Sequence, residues 1–230
     1  MDMLSKLQDW VQGIPDADDY PELLSMHIPK TAGLAFRETL YGQYGKRHVL
    51  AVNHIDLRNE QEQLRDHYRK RHRVIHGHLF YHQLRPFQGP GTRLVTWLRE
   101  PVRRVVSNYY YSITQEFPKR QALDPSLRQL SLREFAERPR RRNVMSAYLK
   151  GIDLEELFFF GLQEHYAEDL SRLGNRLGWA LPPEAGQRRI NAKTQYTPPD
   201  AATLDYIRQL NQEDMALYER AARLRKQQIG

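Results

Sequence analysis

The chain has 230 residues and a formal net charge of +7, which suits one domain with a sizeable core and an anionic partner. It contains no cysteine, and this excludes disulfides, thiol catalysis and cysteine-ligated metals. No segment has the apolar length of a membrane span, and the N-terminus lacks the layout of a signal peptide. We therefore expect a soluble, cytoplasmic protein.

The pattern of apolar residues predicts a single domain over 1–230, in which 1–20 form a helix and a linker and 22–220 form the core. In chain order we predict a strand at 23–28, a helix to about 41 that ends in the segment 41–45, a strand at 48–52 and an exposed helix at 57–70. Next come strands at 74–80 and 93–99, a helix from 101 to 110, and a charged, irregular segment at 115–142. A helix at 143–150, a buried central strand at 158–162, a helix at 164–177 and a long C-terminal helix at 204–226 complete the chain. Strands that alternate with helices predict an α/β fold in three layers, with a mainly parallel central sheet and flanking helices.

The loop that follows the first strand is a candidate anion-binding site. A strand, a tight turn and a helix N-terminus leave backbone N–H groups free to bind an anion, and the helix dipole adds to the attraction. Lys30 adds a mobile charge, Thr31 adds a hydroxyl donor, and Gly33 permits close approach of the backbone to a ligand. The candidate residues are Pro29, Lys30, Thr31, Ala32, Gly33, Leu34 and Ala35. Because the lysine precedes the glycine, the segment does not match the ATP-binding pattern G-x-x-x-x-G-K-[ST].

Two histidines, His76 and His78, flank Gly77 in the predicted strand at 74–80. In an extended strand both imidazoles lie on the same side of the sheet. The pair is compatible with a metal site, with a general base and its helper, or with a structural role. No third ligand of suitable spacing is visible, so we predict no metal site and favour a general base.

Arg99 follows a strand at its carboxyl end, which is where ligands bind in open α/β sheets. Ser107 lies two turns into the next helix, on a side from which its hydroxyl can reach the same anion. Two alternatives remain open: an ion pair of Arg99 with Glu100 or another carboxylate, and a helix-contact role for Ser107. The basic loop 188–196, which includes Lys193, suits a lid over a bound anion, and the arginine run at 138–142 is either a solvated face or an attraction for a polyanionic acceptor.

Three of these segments together resemble the sulfotransferases that use 3′-phosphoadenosine 5′-phosphosulfate (PAPS), above all the carbohydrate enzymes of the heparan-sulfate 2-O-sulfotransferase type and their bacterial relatives. The segment from His27 to Gly33 looks like the 5′-phosphosulfate loop of that family, and the segment from Leu98 to Tyr109 looks like its 3′-phosphate motif. The sequence His76-Gly77-His78 matches the catalytic His-Gly-His of the family. The segments 161–166 and 211–218 also resemble family landmarks.

The resemblance implies a P-loop-like nucleotide-binding fold, PAPS as co-substrate and transfer of a sulfuryl group to an acceptor hydroxyl without a metal. It implies that Lys30 stabilises the leaving group, that Arg99 and Ser107 contact the 3′-phosphate, and that His78 is the base with His76 in support. The acceptor hydroxyl is expected on a saccharide, and nucleic acid is not expected as a partner.

The sequence departs from the family pattern after Gly33, where the family usually carries hydroxyl residues and this chain has Leu34 and Ala35. The resemblance then implies that backbone N–H groups, Lys30 and Thr31 bind the phosphosulfate. Golgi members carry a membrane anchor, whereas no such segment is present here, so the bacterial type is the better fit.

Three other functions remain open at this stage. A nucleotide-dependent phosphotransferase would need a Walker-type loop and a Mg²⁺ carboxylate, and neither is visible in the sequence. A non-catalytic protein that binds PAPS or a polyanion is compatible with Leu34, Ala35 and the positive charge. A sulfotransferase that acts on a carrier-bound or small-molecule hydroxyl is the third.

Overall fold

The computed structural model describes residues 20–53, 72–113, 125–182, 185–186 and 198–227. Within them lies one parallel sheet of five strands. The strands are β1 (Leu23–Met26), β2 (Val49–Asn53), β3 (Val74–His78), β4 (Arg93–Leu98) and β5 (Phe159–Leu162). The predicted α/β class with a parallel sheet is therefore confirmed.

The strand order β2-β3-β1-β4-β5 places β1 at the centre of the described sheet. The chain leaves β1 toward β2 and leaves β4 toward β5, so the two connections diverge between the carboxyl ends of these neighbours. A crevice opens at such a divergence in parallel α/β sheets, and it is the usual place for a ligand. The strand order thus predicts a ligand site at the loops that follow β1 and β4.

Helices flank the sheet on both faces. They are α1 (Gly33–Tyr44), α2 (Tyr81–Leu84), α3 (Pro101–Ile113), α4 (Leu132–Glu137), α5 (Val144–Tyr148), α6 (Tyr166–Leu177), α7 (Ala201–Leu210) and α8 (Gln212–Gln227). Short 3₁₀ turns lie at Lys46–His48, Arg85–Phe87, Pro125–Gln129, Pro139–Arg141, Leu154–Glu156 and Gln163–His165.

Alternating residues of the strands divide the core into two layers. On one face α1 and α6 cover the sheet, and Phe36, Trp97 and Leu173 are among the buried residues there. On the other face α5 and α8 cover it, with Met26, Tyr148 and others buried. A third cluster joins α3, α4 and α7. Because both faces are covered, the strands are apolar almost throughout, as parallel strands generally are.

The prediction that 158–162 is a central strand is wrong, because β5 lies at the edge of the described sheet. Its residues are nevertheless buried: Phe159 packs in the layer with α1 and α6, whereas Phe160 and Leu162 pack in the opposite layer. An apolar run reports that helices cover both faces of a strand, and it carries no information about the number of neighbouring strands.

The predicted single helix over 204–226 is also wrong, since the chain breaks at Asn211 into α7 and α8. The buried Asn211 side chain donates to the Ile207 carbonyl at 2.8 Å and accepts from the backbone N–H of Asn143 at 3.0 Å. An asparagine side chain that replaces backbone hydrogen bonds is a common way to interrupt a helix.

Two further boundaries differ from the prediction. The described part of the segment 115–142 is largely helical, since Ser131 and Glu134 form a capping box that starts α4. Helix α1 continues beyond residue 41 and ends at Tyr44, with Gly45 as its C-terminal cap. The predicted helices at 1–20 and 57–70 lie outside the described residues. No helix among the described residues is long and apolar enough to cross a membrane.

Candidate functional site

The loops after β1 and β4 and the end of β3 meet at the carboxyl edge of the sheet. The Nη1 of Arg99, just after β4, donates to the Lys30 carbonyl at 3.1 Å. On the other side of the β1 loop, Nδ1 of His78 lies 2.7 Å from the His27 carbonyl oxygen. The loop after β1 is thus hydrogen-bonded to both neighbouring segments, and three candidate motifs that are far apart in the chain form one site.

The backbone of the β1 loop turns sharply at two residues that are not glycine. Lys30 and Ala32 have φ angles of 72° and 76°, in the left-handed region. Such turns point backbone N–H groups inward, which makes an anion-binding concavity. The first intrahelical bond of α1 runs from Phe36 N–H to Ala32 C=O at 3.1 Å, so the amides of residues 33–35 face out of the helix end. Pro29 has no N–H, and its contribution is to restrict the conformation of the loop.

The side chains of Thr31 and Leu34 contribute differently to this end of the site. The Thr31 hydroxyl is buried and donates to the Ile28 carbonyl at 2.8 Å, so its hydrogen is used within the loop itself. Leu34, in the first turn of α1, is 47% exposed and carries no donor. Backbone amides and Lys30 therefore supply the donors and the charge at this end of the site.

The space beside Gly33 is occupied by a neighbouring side chain. A Cβ at Gly33 would lie 1.8 Å from Cδ2 of the His27 ring. No ligand is needed to explain the glycine, because the imidazole already fills the space. His27 thereby reaches the two predicted histidines.

Three imidazoles stack at the end of β1 and β3. The centroid of the His27 ring lies 4.0 Å from that of His78 and 5.0 Å from that of His76. His76 is fully buried, and its Nδ1 lies 2.8 Å from Oγ of Ser25, the residue opposite it in the β1–β3 register. The predicted common side for His76 and His78 is consistent with these ring contacts.

Burial makes two of these imidazoles poor proton acceptors. It lowers the pKa of His76 to about 3, with further lowering by His78 and Arg37, while a backbone group of Gly33 opposes the shift. Burial also lowers the pKa of His27 well below its ordinary value, and the neighbouring His78, His76, Arg37 and Lys30 act in the same direction. Both rings are therefore neutral at working pH.

The hydrogen bond of His78 defines its tautomer. A carbonyl oxygen can only accept, so Nδ1 of His78 carries the hydrogen in its contact with His27. In the neutral ring the basic lone pair then lies on Nε2. His78 is half-buried, whereas His76 is fully buried. Of the two predicted histidines, His78 has the geometry of a base.

Lys30 is held against an aromatic ring of α3. Its Nζ lies 3.8 Å from the centroid of the Tyr111 ring, a cation–π contact. Burial, together with the charge of Arg99, lowers the pKa of Lys30 to about 8. Ser107 lies one helical turn before Tyr111, at the i, i+4 spacing that places both on one side of α3. This side of α3 faces the β1 loop.

Glu100 does not serve the role considered for it as a partner of Arg99. Its carboxylate accepts hydrogen bonds from the backbone N–H groups of Val102 at 3.2 Å and of Arg103 at 2.7 Å, and so it caps α3. The guanidinium of Arg99 reaches the Lys30 carbonyl instead. Arg99 and Lys30 lie close together at the crevice between β1 and β4, where the charge of Arg99 acts on Lys30.

Lys193 and the loop 188–196 lie outside the described residues. Among the residues that the structure describes, no group of three histidine, cysteine or carboxylate side chains could hold a metal ion.

Sequence reasoning assigned no role to His27, Ser25 or Tyr111. For His27 and Ser25 a signal exists, namely their two-residue spacing at the end of a strand. This spacing could be interpreted only once the register of β1 against β3 is known, because that register places Ser25 opposite His76.

No protein-family model and no curated protein matches the chain. Among solved structures, the chain is similar to the crystal structure of mouse sulfotransferase SULT7A1 complexed with PAP, at 13% sequence identity and a TM-score of 0.42. The match covers 90% of this chain and 70% of that chain. This likeness is distant, so the interpretation of the site depends on its own residues.

Proposed function

We propose that the protein is a PAPS-dependent O-sulfotransferase, and that its acceptor is a hydroxyl of a saccharide. The observation that carries the proposal is the double hydrogen bonding of the β1 loop, to Arg99 on one side and to His78 on the other. These two hydrogen bonds bring Lys30 and Arg99, which are cations, and His78, a base of suitable tautomer, to one loop. Sulfuryl transfer from PAPS requires such cations and such a base.

The residues present suit a nucleotide with phosphates at both its 5′ and 3′ ends. Lys30, the left-handed turns and the first amides of α1 suit a phosphosulfate group. Arg99 suits a separate phosphate, because its planar guanidinium can donate two parallel hydrogen bonds. Burial, together with the nearby charge of Arg99, lowers the pKa of Lys30, and a bound anion relieves the repulsion between the two cations.

When bound, PAPS supplies an activated sulfuryl group; a bond forms between the acceptor oxygen and sulfur, the bond from sulfur to the 5′-phosphate oxygen breaks, and the acceptor loses one proton. Nε2 of His78 accepts that proton, which contributes about 10²–10⁴-fold to the rate. The ammonium of Lys30 stabilises the negative charge that develops on the leaving phosphate. Arg99 and Ser107 hold the 3′-phosphate.

His76 and His27 have a positioning role in this mechanism. The buried His76 stays neutral, and its bond to Ser25 holds the ring in place beneath the site. His27 fixes His78 twice, through its carbonyl and through its stacked ring.

Calorimetric titration with 3′-phosphoadenosine 5′-phosphate (PAP), 5′-AMP and ATP tests the proposal. We expect PAP to bind at least about tenfold more tightly than 5′-AMP, and Arg99→Ala to remove most of that difference. Arg103→Ala is the matched control, because it removes an exposed arginine from the first turn of α3. Absence of PAP binding, or a preference for ATP, would refute the proposal.

A non-catalytic PAPS-binding protein is the second candidate, and the exposed Leu34 favours it. The loop lacks a side-chain hydroxyl that is free to donate, since Thr31 donates to Ile28. The measurement that separates the two candidates is PAP release from PAPS in the presence of a panel of saccharides. Release that depends on the acceptor identifies an enzyme, whereas tight PAP binding without release under any acceptor supports the second candidate.

A further inference from the structure

A hydrogen-bond chain connects the C-terminal helix to the turn that carries Arg99. The Tyr218 hydroxyl, on α8, donates to one carboxylate oxygen of Glu164 at 3.0 Å. The other oxygen of Glu164 accepts the backbone N–H of Glu100 at 2.9 Å. Two side chains that have no part in the proposed mechanism thus converge on the β4–α3 turn.

The backbone N–H of Glu100 belongs to the peptide bond that it shares with Arg99. Glu164 therefore fixes the orientation of the peptide plane from which the Arg99 side chain departs. The position of Glu164 follows from the sheet, because Leu98 pairs with Leu162 and each carboxylate lies two residues further along its chain. Arg99 is then held at two points, its peptide by Glu164 and its guanidinium by the Lys30 carbonyl.

The protonated Tyr218 hydroxyl is the donor in its hydrogen bond to Glu164. Burial and the neighbouring Glu164 raise the pKa of Tyr218, so the phenol keeps its hydrogen and donates across the working pH range. The Glu100 carboxylate is turned away, toward the amides of Val102 and Arg103. Hydrogen bonds of this kind, in which the acceptor is ionised, are stronger than neutral ones.

We propose that Glu164 and Tyr218 are positioning residues that keep Arg99 directed toward the 3′-phosphate of the nucleotide. They act through the Arg99–Glu100 peptide and make no contact with the ligand themselves. Their contribution is to the discrimination between 3′-phosphorylated and plain nucleotides, with little effect on the rest of the site. The role of the ligand in this inference rests on the proposed function.

The first test uses the ligand-free protein and does not depend on nucleotide binding. In Tyr218→Phe, amide hydrogen exchange at Glu100 is expected to be at least about threefold faster than in the wild type, and faster still in Glu164→Ala. Tyr206→Phe is the matched control, since its hydroxyl donates to Glu137 at 2.9 Å on an exposed surface of α7. Unchanged exchange at Glu100 in both Tyr218→Phe and Glu164→Ala overturns the inference.

The second test measures the dissociation constants of PAP and 5′-AMP for the same variants. Tyr218→Phe is expected to weaken PAP about fivefold and to leave 5′-AMP unchanged, and Glu164→Gln is expected to restore part of the loss seen in Glu164→Ala. Equal weakening of both nucleotides indicates a general structural role and overturns the inference. If the wild type does not discriminate between them, the proposed function fails, while the exchange experiment still reports whether the turn is held as described.

Discussion

Nδ1 of His78 lies 2.7 Å from the carbonyl oxygen of His27, and the two rings stack with their centroids 4.0 Å apart. In the neutral ring this contact places the hydrogen on Nδ1 of His78 and the basic lone pair on Nε2. It also shows that the end of β1 supplies both the anion-binding loop and the support for the base. The proposed anion-binding loop and the proposed base are therefore held by the same segment of the chain.

His78→Ala is expected to lower kcat about 10²–10⁴-fold, because the acceptor hydroxyl loses its base. The dissociation constant of PAP should change by less than about twofold, since the ring lies on the side of the loop opposite Arg99. Steady-state kinetics and calorimetry on one preparation check both values. His82→Ala, an exposed histidine just beyond β3, is the control. Near-normal turnover in both His78→Ala and His76→Ala would show that neither is the base.

Lys30 is expected to define the alkaline limb of the pH profile. Its pKa is lowered to about 8, so the ammonium loses its proton, and with it the stabilisation of the leaving group, as pH rises through that value. We expect kcat/KM to fall above about pH 8, and the limb in kcat to lie at higher pH because the bound anion favours the charged amine. In Lys30→Arg the limb should disappear, since a guanidinium stays charged. If the alkaline limb persists unchanged in Lys30→Arg, it reports the titration of another group.

Two glycines of α1 should respond in opposite directions to alanine. Gly33→Ala brings a Cβ to 1.8 Å from the ring of His27, and we expect a loss of about 1–3 kcal/mol of unfolding free energy together with reduced turnover. Gly42→Ala meets nothing within 4 Å, so it should stabilise the protein by about 0.5–1 kcal/mol through helix propensity. Urea unfolding of the two variants measures the difference. A stabilised Gly33→Ala would mean that His27 moves away at little cost.

The buried His76 is expected to make the fold sensitive to mild acid. Its pKa is about 3 in the folded protein and about 6.5 when exposed, so only the unfolded chain takes up the proton between these values. Its contribution to stability is full above pH 6.5 and is lost as pH falls toward 3, at up to about 1.4 kcal/mol per pH unit. Urea unfolding at several pH values measures how the unfolding free energy changes with pH. This dependence on pH should be weaker in His76→Gln than in the wild type. His82→Gln, at an exposed position, should leave the dependence unchanged; an equal dependence in all three proteins contradicts the assignment.

The sequence by itself determined the local features of this protein. Apolar runs bounded by glycine and proline predicted the strands, and the pattern of residues after β1 and β4 predicted turns that lead into helices. The anion loop around Lys30, the position of Arg99 at a strand end and the pairing of His76 with His78 all follow from spacing within one element. Such features depend on the periods of the helix and the strand, which neighbouring residues set.

Only the tertiary structure decided which distant residues meet. Ser25 reaches His76 because β1 pairs with β3 in one register, and a shift by one residue would turn His76 to the opposite face. Glu164 reaches Glu100 because β5 lies beside β4, although its apolar run indicated only that both faces are covered. Strand order and register result from packing of the whole chain, so no local pattern records them. For this reason the positions of Arg99 and His78 at strand ends could be predicted from the sequence, whereas their supports, Tyr218 and His27, could not.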